Sequence, residues 1–138
     1  MLKKIPKNLS PELVKILMEM GHGDEIVIAD GNYPAASNAR NLVRCDGLGV
    51  PELLTSIMEL LPLDQYVEKS VALMAVAKGD DTVPEIWEEY RAIIQNDTVI
   101  EMMERQEFYE RGKKAYAIVA TGEEAIYANI LLKKGVVK

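Results

Sequence analysis

Helical and strand-like patterns alternate along the whole 138-residue chain, several short β-branched runs lack polar alternation, and proline or glycine marks most changes of pattern. These observations predict a single α/β domain, residues 1–138, with helices packed on a mixed or largely parallel sheet. The hydrophobic fraction, 49%, is enough for an ordinary core. No repeat period or low-complexity tract interrupts the alternation.

Ser10-Pro11-Glu12, followed by Leu13, Val14, Ile16, Leu17 and Met20, predicts the first helix. The serine caps it, proline suits its first position, and Gly21 is expected to end it. Glu25 to Ala29 is a β-branched run without alternation, expected to be a strand covered on both faces and to stop at Asp30. Gly31 to Asn38 is uncharged and rich in turn formers, so an ordered loop is expected. A short strand around Asn41 to Cys45 leads to the Asp46-Gly47 turn.

Pro51-Glu52 opens a helix with Leu53, Leu54, Ile57, Met58 and Leu61 on its apolar side, closed by Pro62. Ser70 to Ala77 is the next strand, ending before the Gly79-Asp80-Asp81 turn. Pro84-Glu85 starts a helix whose Ile86, Trp87, Tyr90, Ile93 and Ile94 form a buried stripe. Thr98 to Met103 predicts a strand, Glu107 to Lys114 a short helix and Ala115 to Ala120 a strand. Thr121-Gly122 turns the chain, and Tyr127 to Leu132 is strand-like, stopped by Lys133-Lys134-Gly135.

Composition narrows the function classes. Sixteen Lys and Arg against 22 Asp and Glu give a net charge of −6, which disfavours a phosphate-backbone partner. No stretch approaches the roughly 18 apolar residues of a membrane span, and the first ten residues lack an apolar leader core, so a cytoplasmic protein is expected. The single cysteine, Cys45, excludes an internal disulfide and a thiolate zinc site, and a buried inert thiol is expected there. No Walker A, GxGxxG or G-x-S-x-G pattern occurs, which argues against a nucleotide enzyme.

The only histidine, His22, stands between Gly21 and Gly23 at a helix-to-strand junction, where a ligand can approach the ring. A loop histidine bonded to a carbonyl is the plain alternative. Asp30 ends a buried strand, where ligands collect in open α/β sheets; it is placed to orient His22, bind a hydroxyl or cap the next turn. Arg105 to Arg111 reads on pattern as a solvated helix face with Phe108 inward. Tyr127 and Asn129 offer a phenol and an amide that suit a polyol.

Taken together, Met20-Gly-His-Gly-Asp-Glu25, Ile26-Val-Ile-Ala-Asp30, Arg44-Cys-Asp-Gly-Leu48, Phe108-Tyr-Glu-Arg111, Ala120-Thr-Gly-Glu123 and Tyr127-Ala-Asn-Ile-Leu-Leu-Lys-Lys-Gly135 resemble the L-fucose mutarotase and D-ribose pyranase family over almost the whole chain. The resemblance implies a three-layer α/β/α subunit that interconverts anomers of a free sugar without cofactor or metal. It also implies a homo-oligomer, commonly a decamer in bacterial members, with sites shared between neighbouring subunits. By motif, His22 matches the proton donor, and Asp30, Arg105, Tyr127, Ala128 and Asn129 match sugar-binding positions, Ala128 through its backbone.

The Phe-Tyr-Glu-Arg block and Arg105 point to the fucose branch, whereas Tyr127-Ala-Asn129 is a spelling also found in the ribose branch. L-Fucose is therefore the expected substrate, with D-ribose secondary. A non-catalytic sugar-binding protein is the competing class, and a metal-dependent isomerase ranks last because a ligand set is missing.

Overall fold

The computed structural model describes residues 1–95 and 97–138. Five helices, α1 (Pro11–Glu19), α2 (Ala35–Asn38), α3 (Val50–Met58), α4 (Ile86–Ile94) and α5 (Arg105–Lys114), accompany six strands among the described residues. The strands are β1 (Glu25–Ala29), β2 (Leu42–Cys45), β3 (Val71–Met74), β4 (Ile100–Met103), β5 (Ala117–Thr121) and β6 (Ile130–Lys133). They form one sheet in the order β2-β5-β1-β6-β3-β4. β6 runs antiparallel to both its neighbours, and the other three pairings are parallel, so five strands share one direction.

The β-branched runs are central strands for the reason their sequence gives. All residues of β3 and β5, and all but the first of β1, are buried, which requires both faces to be covered. Successive side chains alternate between two cores. Ile26 and Ile28 pack with Leu13 and Leu17 of α1, Leu53 and Ile57 of α3, and Tyr90 of α4. Val27 and Ala29 face the other way, against Ala35 of α2 and Phe108 of α5. The result is a three-layer α/β/α arrangement around a mixed, largely parallel sheet, as the sequence predicts.

Local chemistry sets the helix starts. The Ser10 hydroxyl accepts from Leu13 N at 3.2 Å, with Pro11 first in α1. The Glu104 carboxylate accepts from Gln106 N at 3.1 Å and caps α5, which therefore begins at Arg105, before the expected Glu107. Arg111 near the other end of α5 forks onto Glu25 of β1 and reaches Glu101 of β4 at 3.5 Å, clamping the helix to the sheet.

Several boundaries differ from the sequence reading. α1 stops at Glu19 with Met20 already extended, one residue before Gly21. The ordered loop contains α2. β3 ends at Met74, short of Ala77, and the last strand begins at Ile130. Ile126 and Tyr127 form a turn and Ala128 and Asn129 lie outside the strand, because Tyr127 takes φ +57°, a left-handed conformation that breaks the ladder.

Among the described residues no helix is long and apolar enough to cross a membrane.

Candidate functional site

The chain leaves β1 toward β2 on one side of the sheet, while β3 and β4 lie on the other. Such a reversal opens a crevice beyond the carboxyl ends of the parallel strands. A cleft of about 280 Å³ occupies it, lined by Asp30, Tyr33, Met74, Asp80, Arg105, Tyr109, Tyr127 and Asn129 among others. That volume suits a small, compact ligand, since drug-sized pockets begin near ~300 Å³. Larger hollows of about 580 Å³ lie elsewhere, one beneath the N-terminal arm and one beside Asp64, Ser70 and Val99, at the amino ends of β3 and β4.

Asp30 and Asn129 form the floor, only 6% and 5% exposed. Because β6 runs antiparallel to β1, with Ile28 opposite Ile130, the chain entering β6 passes the chain leaving β1, and Asp30 N donates to Asn129 Oδ1 at 2.7 Å. Asp30 Oδ1 in turn accepts from Asn32 N at 3.0 Å, so Asp30 caps its turn and lines the cleft at once. Burial pushes its carboxyl above the ordinary carboxylate value, against the opposing pull of the Asn32, Ala128 and Tyr33 amides.

Tyr127 is held in its left-handed conformation by α4. Trp87 Nε1 donates to Tyr127 O at 2.8 Å, and the Tyr90 hydroxyl donates to Ala128 O at 2.6 Å. These two bonds offset a backbone strain of about 1–3 kcal/mol. They also leave Ala128 fully buried, with its carbonyl already engaged. The Tyr127 hydroxyl donates to Asp80 Oδ2 at 2.6 Å.

Arg105, first in α5, is exposed at the rim and has no carboxylate partner among the described residues. Its five N–H donors are free to fork onto hydroxyls. Tyr33 and Tyr109 meet edge to face, centroids 5.4 Å apart, and make an aromatic wall.

His22 is elsewhere. It lies at the amino end of β1, whereas Asp30 lies at the carboxyl end, with a five-residue strand of roughly 16 Å between them. Asp30 therefore does not orient His22. Asp64 does so, with His22 Nε2 and Asp64 Oδ1 3.0 Å apart. The same oxygen accepts from Tyr66 N at 3.0 Å, the main cause holding the Asp64 carboxyl below its usual range. The His22 side chain remains 45% exposed while Asp64 is buried, a carboxylate–imidazole pair presented outward. Gly23, at φ +88°, supplies the turn.

The structure thus gathers Asp30, Arg105, Tyr127, Ala128 and Asn129 at one end of the sheet and leaves His22 at the other. Sequence reasoning missed Asp64, 42 positions from His22, and Asp80, 47 positions from Tyr127, because neither belongs to a local pattern. Cys45 is half-buried, and burial pushes its thiol up, as suits an inert cysteine. Among the described residues no three His, Cys, Asp or Glu side chains come together as a metal-ligand group.

A small cleft lined by tyrosines and a few polar side chains at the switch point of a mixed three-layer sheet defines an α/β protein with a site sized for a compact ligand. The chain belongs to the RbsD / FucU transport protein family, whose model matches residues 3–137. It is 48% identical to the human fucose mutarotase, over 98% of this chain and 94% of that one. The fold matches the crystal structure of the fucose mutarotase from Streptococcus pneumoniae in complex with L-fucose, with a TM-score of 0.95, 61% identity, and 99% and 100% of the two chains covered. The Bacillus subtilis RbsD complexed with D-ribose is similar at a TM-score of 0.77 and 28% identity, over the full length of both chains.

Proposed function

We propose that this protein is a mutarotase that interconverts the α and β anomers of free L-fucose by ring opening and closing. The observation that carries this reading is the match, at 61% identity, to a mutarotase with L-fucose bound. The cleft supports it chemically. Ring opening breaks the C1–O5 bond, takes a proton from the anomeric hydroxyl and delivers one to O5; closure on the other carbonyl face reverses both transfers. Asp30, Arg105 and Asn129 hold the polyol with side-chain hydrogen bonds, and the Tyr127 side chain lines the cleft beside them, while Ala128, buried with its carbonyl engaged, supports the turn from behind.

Two carboxylates line the cleft, and their environments differ in sign. Burial strengthens Asp30 as a proton acceptor, whereas hydrogen bonds from Thr82 first and then Tyr127 weaken Asp80. Asp30 is therefore the base for the anomeric proton. The proton donor is His22 of a second copy, because a strand's length separates it from the cleft of its own chain. Stacking the amino end of one subunit on the carboxyl end of the next is a heterologous contact that closes into a ring. We place this homo-oligomer in the cytoplasm.

Proton NMR exchange spectroscopy on equilibrated L-fucose tests the reading. Protein-dependent α-to-β cross-peaks, absent with D-glucose, are expected. No added exchange with L-fucose or D-ribose would overturn the enzymatic reading in favour of a sugar-binding protein.

A further inference from the structure

We infer that Asp80 is a positioning residue, which fixes Tyr127 as a hydrogen-bond acceptor for one hydroxyl of the bound sugar. The inference rests on the mutarotase reading and adds to it a residue outside the matched motifs. Asp80 sits in an exposed turn after β3, yet its carboxylate is engaged on both oxygens. Oδ1 accepts from Thr82 N at 2.9 Å and from the Thr82 hydroxyl at 2.6 Å, and Oδ2 accepts from the Tyr127 hydroxyl at 2.6 Å. The Gly79 turn at φ +89° brings the carboxylate over the cleft.

The direction of that last bond follows from the partners. The contacts from Thr82 and Tyr127 keep Asp80 ionised at neutral pH, so it has no proton to give, and the phenol must donate. Its single hydrogen is then committed. Ala77 N donates to the same phenol oxygen at the long distance of 3.2 Å, a weak contact that a sugar hydroxyl competes with or displaces. Ala77, Asp80 and Tyr127 line the cleft together, so toward a ligand the phenol oxygen is an acceptor only. A group that can only accept must meet a donor, which in a free sugar is a hydroxyl and never the ring oxygen. A charge-assisted bond of this length also stops the phenol from rotating, so the acceptor is aimed before sugar arrives.

A double-mutant cycle tests this with Asp80→Asn, Tyr127→Phe and the pair. The asparagine amide can donate to the phenol oxygen and free its hydrogen, so Asp80→Asn should lower kcat/KM for L-fucose about tenfold, mostly through KM. In the Tyr127→Phe background the same change should alter kcat/KM by less than about twofold, since the group it positions is gone. Melting within about 3 °C of the parent shows that the exposed turn has not disturbed the fold. An equal loss in both backgrounds, or no loss in the parent, overturns the inference. If the parent exchanges no sugar at all, the mutarotase reading falls by itself. The same cycle measured as L-fucose affinity by calorimetry then decides the Asp80 claim by the same two criteria.

Discussion

At the carboxyl end of the sheet, Asp30 and Asn129 are more than nine-tenths buried and bonded to each other, and two side chains of α4 clamp the Tyr127–Ala128 turn. At the amino end, His22 is nearly half exposed on a glycine-flanked turn, with Asp64 as its hydrogen-bond partner. The proposed recognition groups are thus built in advance where they satisfy one another. The proposed proton donor is presented outward, where the buried Asp64 carboxylate sets the ring. On the proposed reading, neither end works without a neighbouring copy, and the predictions that follow probe that division.

The largest effect is expected from His22→Ala. Anomer exchange should fall by about 10²–10⁴-fold, while L-fucose affinity changes far less. Mixing it with Arg105→Ala separates one chain from two. If the site combines His22 of one copy with Arg105 of the next, co-assembled variants regain part of the exchange. No recovery in a verified mixed assembly would mean that both groups act within one chain.

Asp30→Asn should come next, lowering exchange by about 10²-fold as the base is lost. It carries a stability signature of opposite sign. Burial raises the folded carboxyl above its ordinary value of 3.8, so the folded chain binds the proton more tightly than the unfolded one. Stability from this group is then fully present below about pH 4 and declines as pH rises through the raised value. The asparagine variant should lack that decline when denaturation is followed across the acid range. For the same reason, the acid limb of the parent's rate profile should lie above the ordinary carboxylate value.

The contrast between the two ends also explains what the sequence could and could not reveal. β1 is legible to the residue, because Glu25 to Ala29 is an unbroken, largely β-branched run stopped by Asp30, which can be read without any distant partner. Ser10 and Pro11 mark the start of α1 in the same local way. The turn at Tyr127 is not legible, since its strand-like composition is overruled by Trp87 and Tyr90, 40 and 38 positions away from the carbonyls they hold. Asp64 and Asp80 are ordinary turn aspartates until folding brings His22 and Tyr127 against them. Motif resemblance picked out Arg105 and Asn129, and the chain order already set His22 before β1 and Asp30 after it, but nothing local names Asp64 as the partner that His22 finds.

Asn129→Ala sharpens the comparison from the buried side. It strands the Asp30 N–H without an acceptor, which costs about 1–3 kcal/mol of stability for a buried donor. At the exposed end, Asp64→Asn keeps an acceptor for Tyr66 N and should cost less in thermal melting, though it removes the charge that orients His22. Equal losses at the two positions would contradict the claim that only the carboxyl end is built in advance.

The smallest effect is expected at the wall of the cleft, from Gly112→Ala in α5. Alanine favours a helix interior by about 1 kcal/mol over glycine. Here the added methyl would project directly onto the buried hydroxyl of Tyr33. That hydroxyl has no hydrogen-bond partner among the described residues. Burial pushes it up to about 12, against the opposite pull of the nearby Asn38 side chain. Overpacking costs about 1–3 kcal/mol, so the single variant should be slightly destabilised, and a displaced Tyr33 should raise KM for L-fucose. Tyr33→Phe removes an unpaired buried hydroxyl and should be neutral or mildly stabilising alone. Combined with Gly112→Ala it should restore melting to the parent's value or above, because the clash is gone while the helix gain remains. If the phenylalanine fails to rescue the alanine, the crowding lies with the aromatic ring itself, whose Cζ stands nearer the added methyl than Val27 does, and not with the hydroxyl.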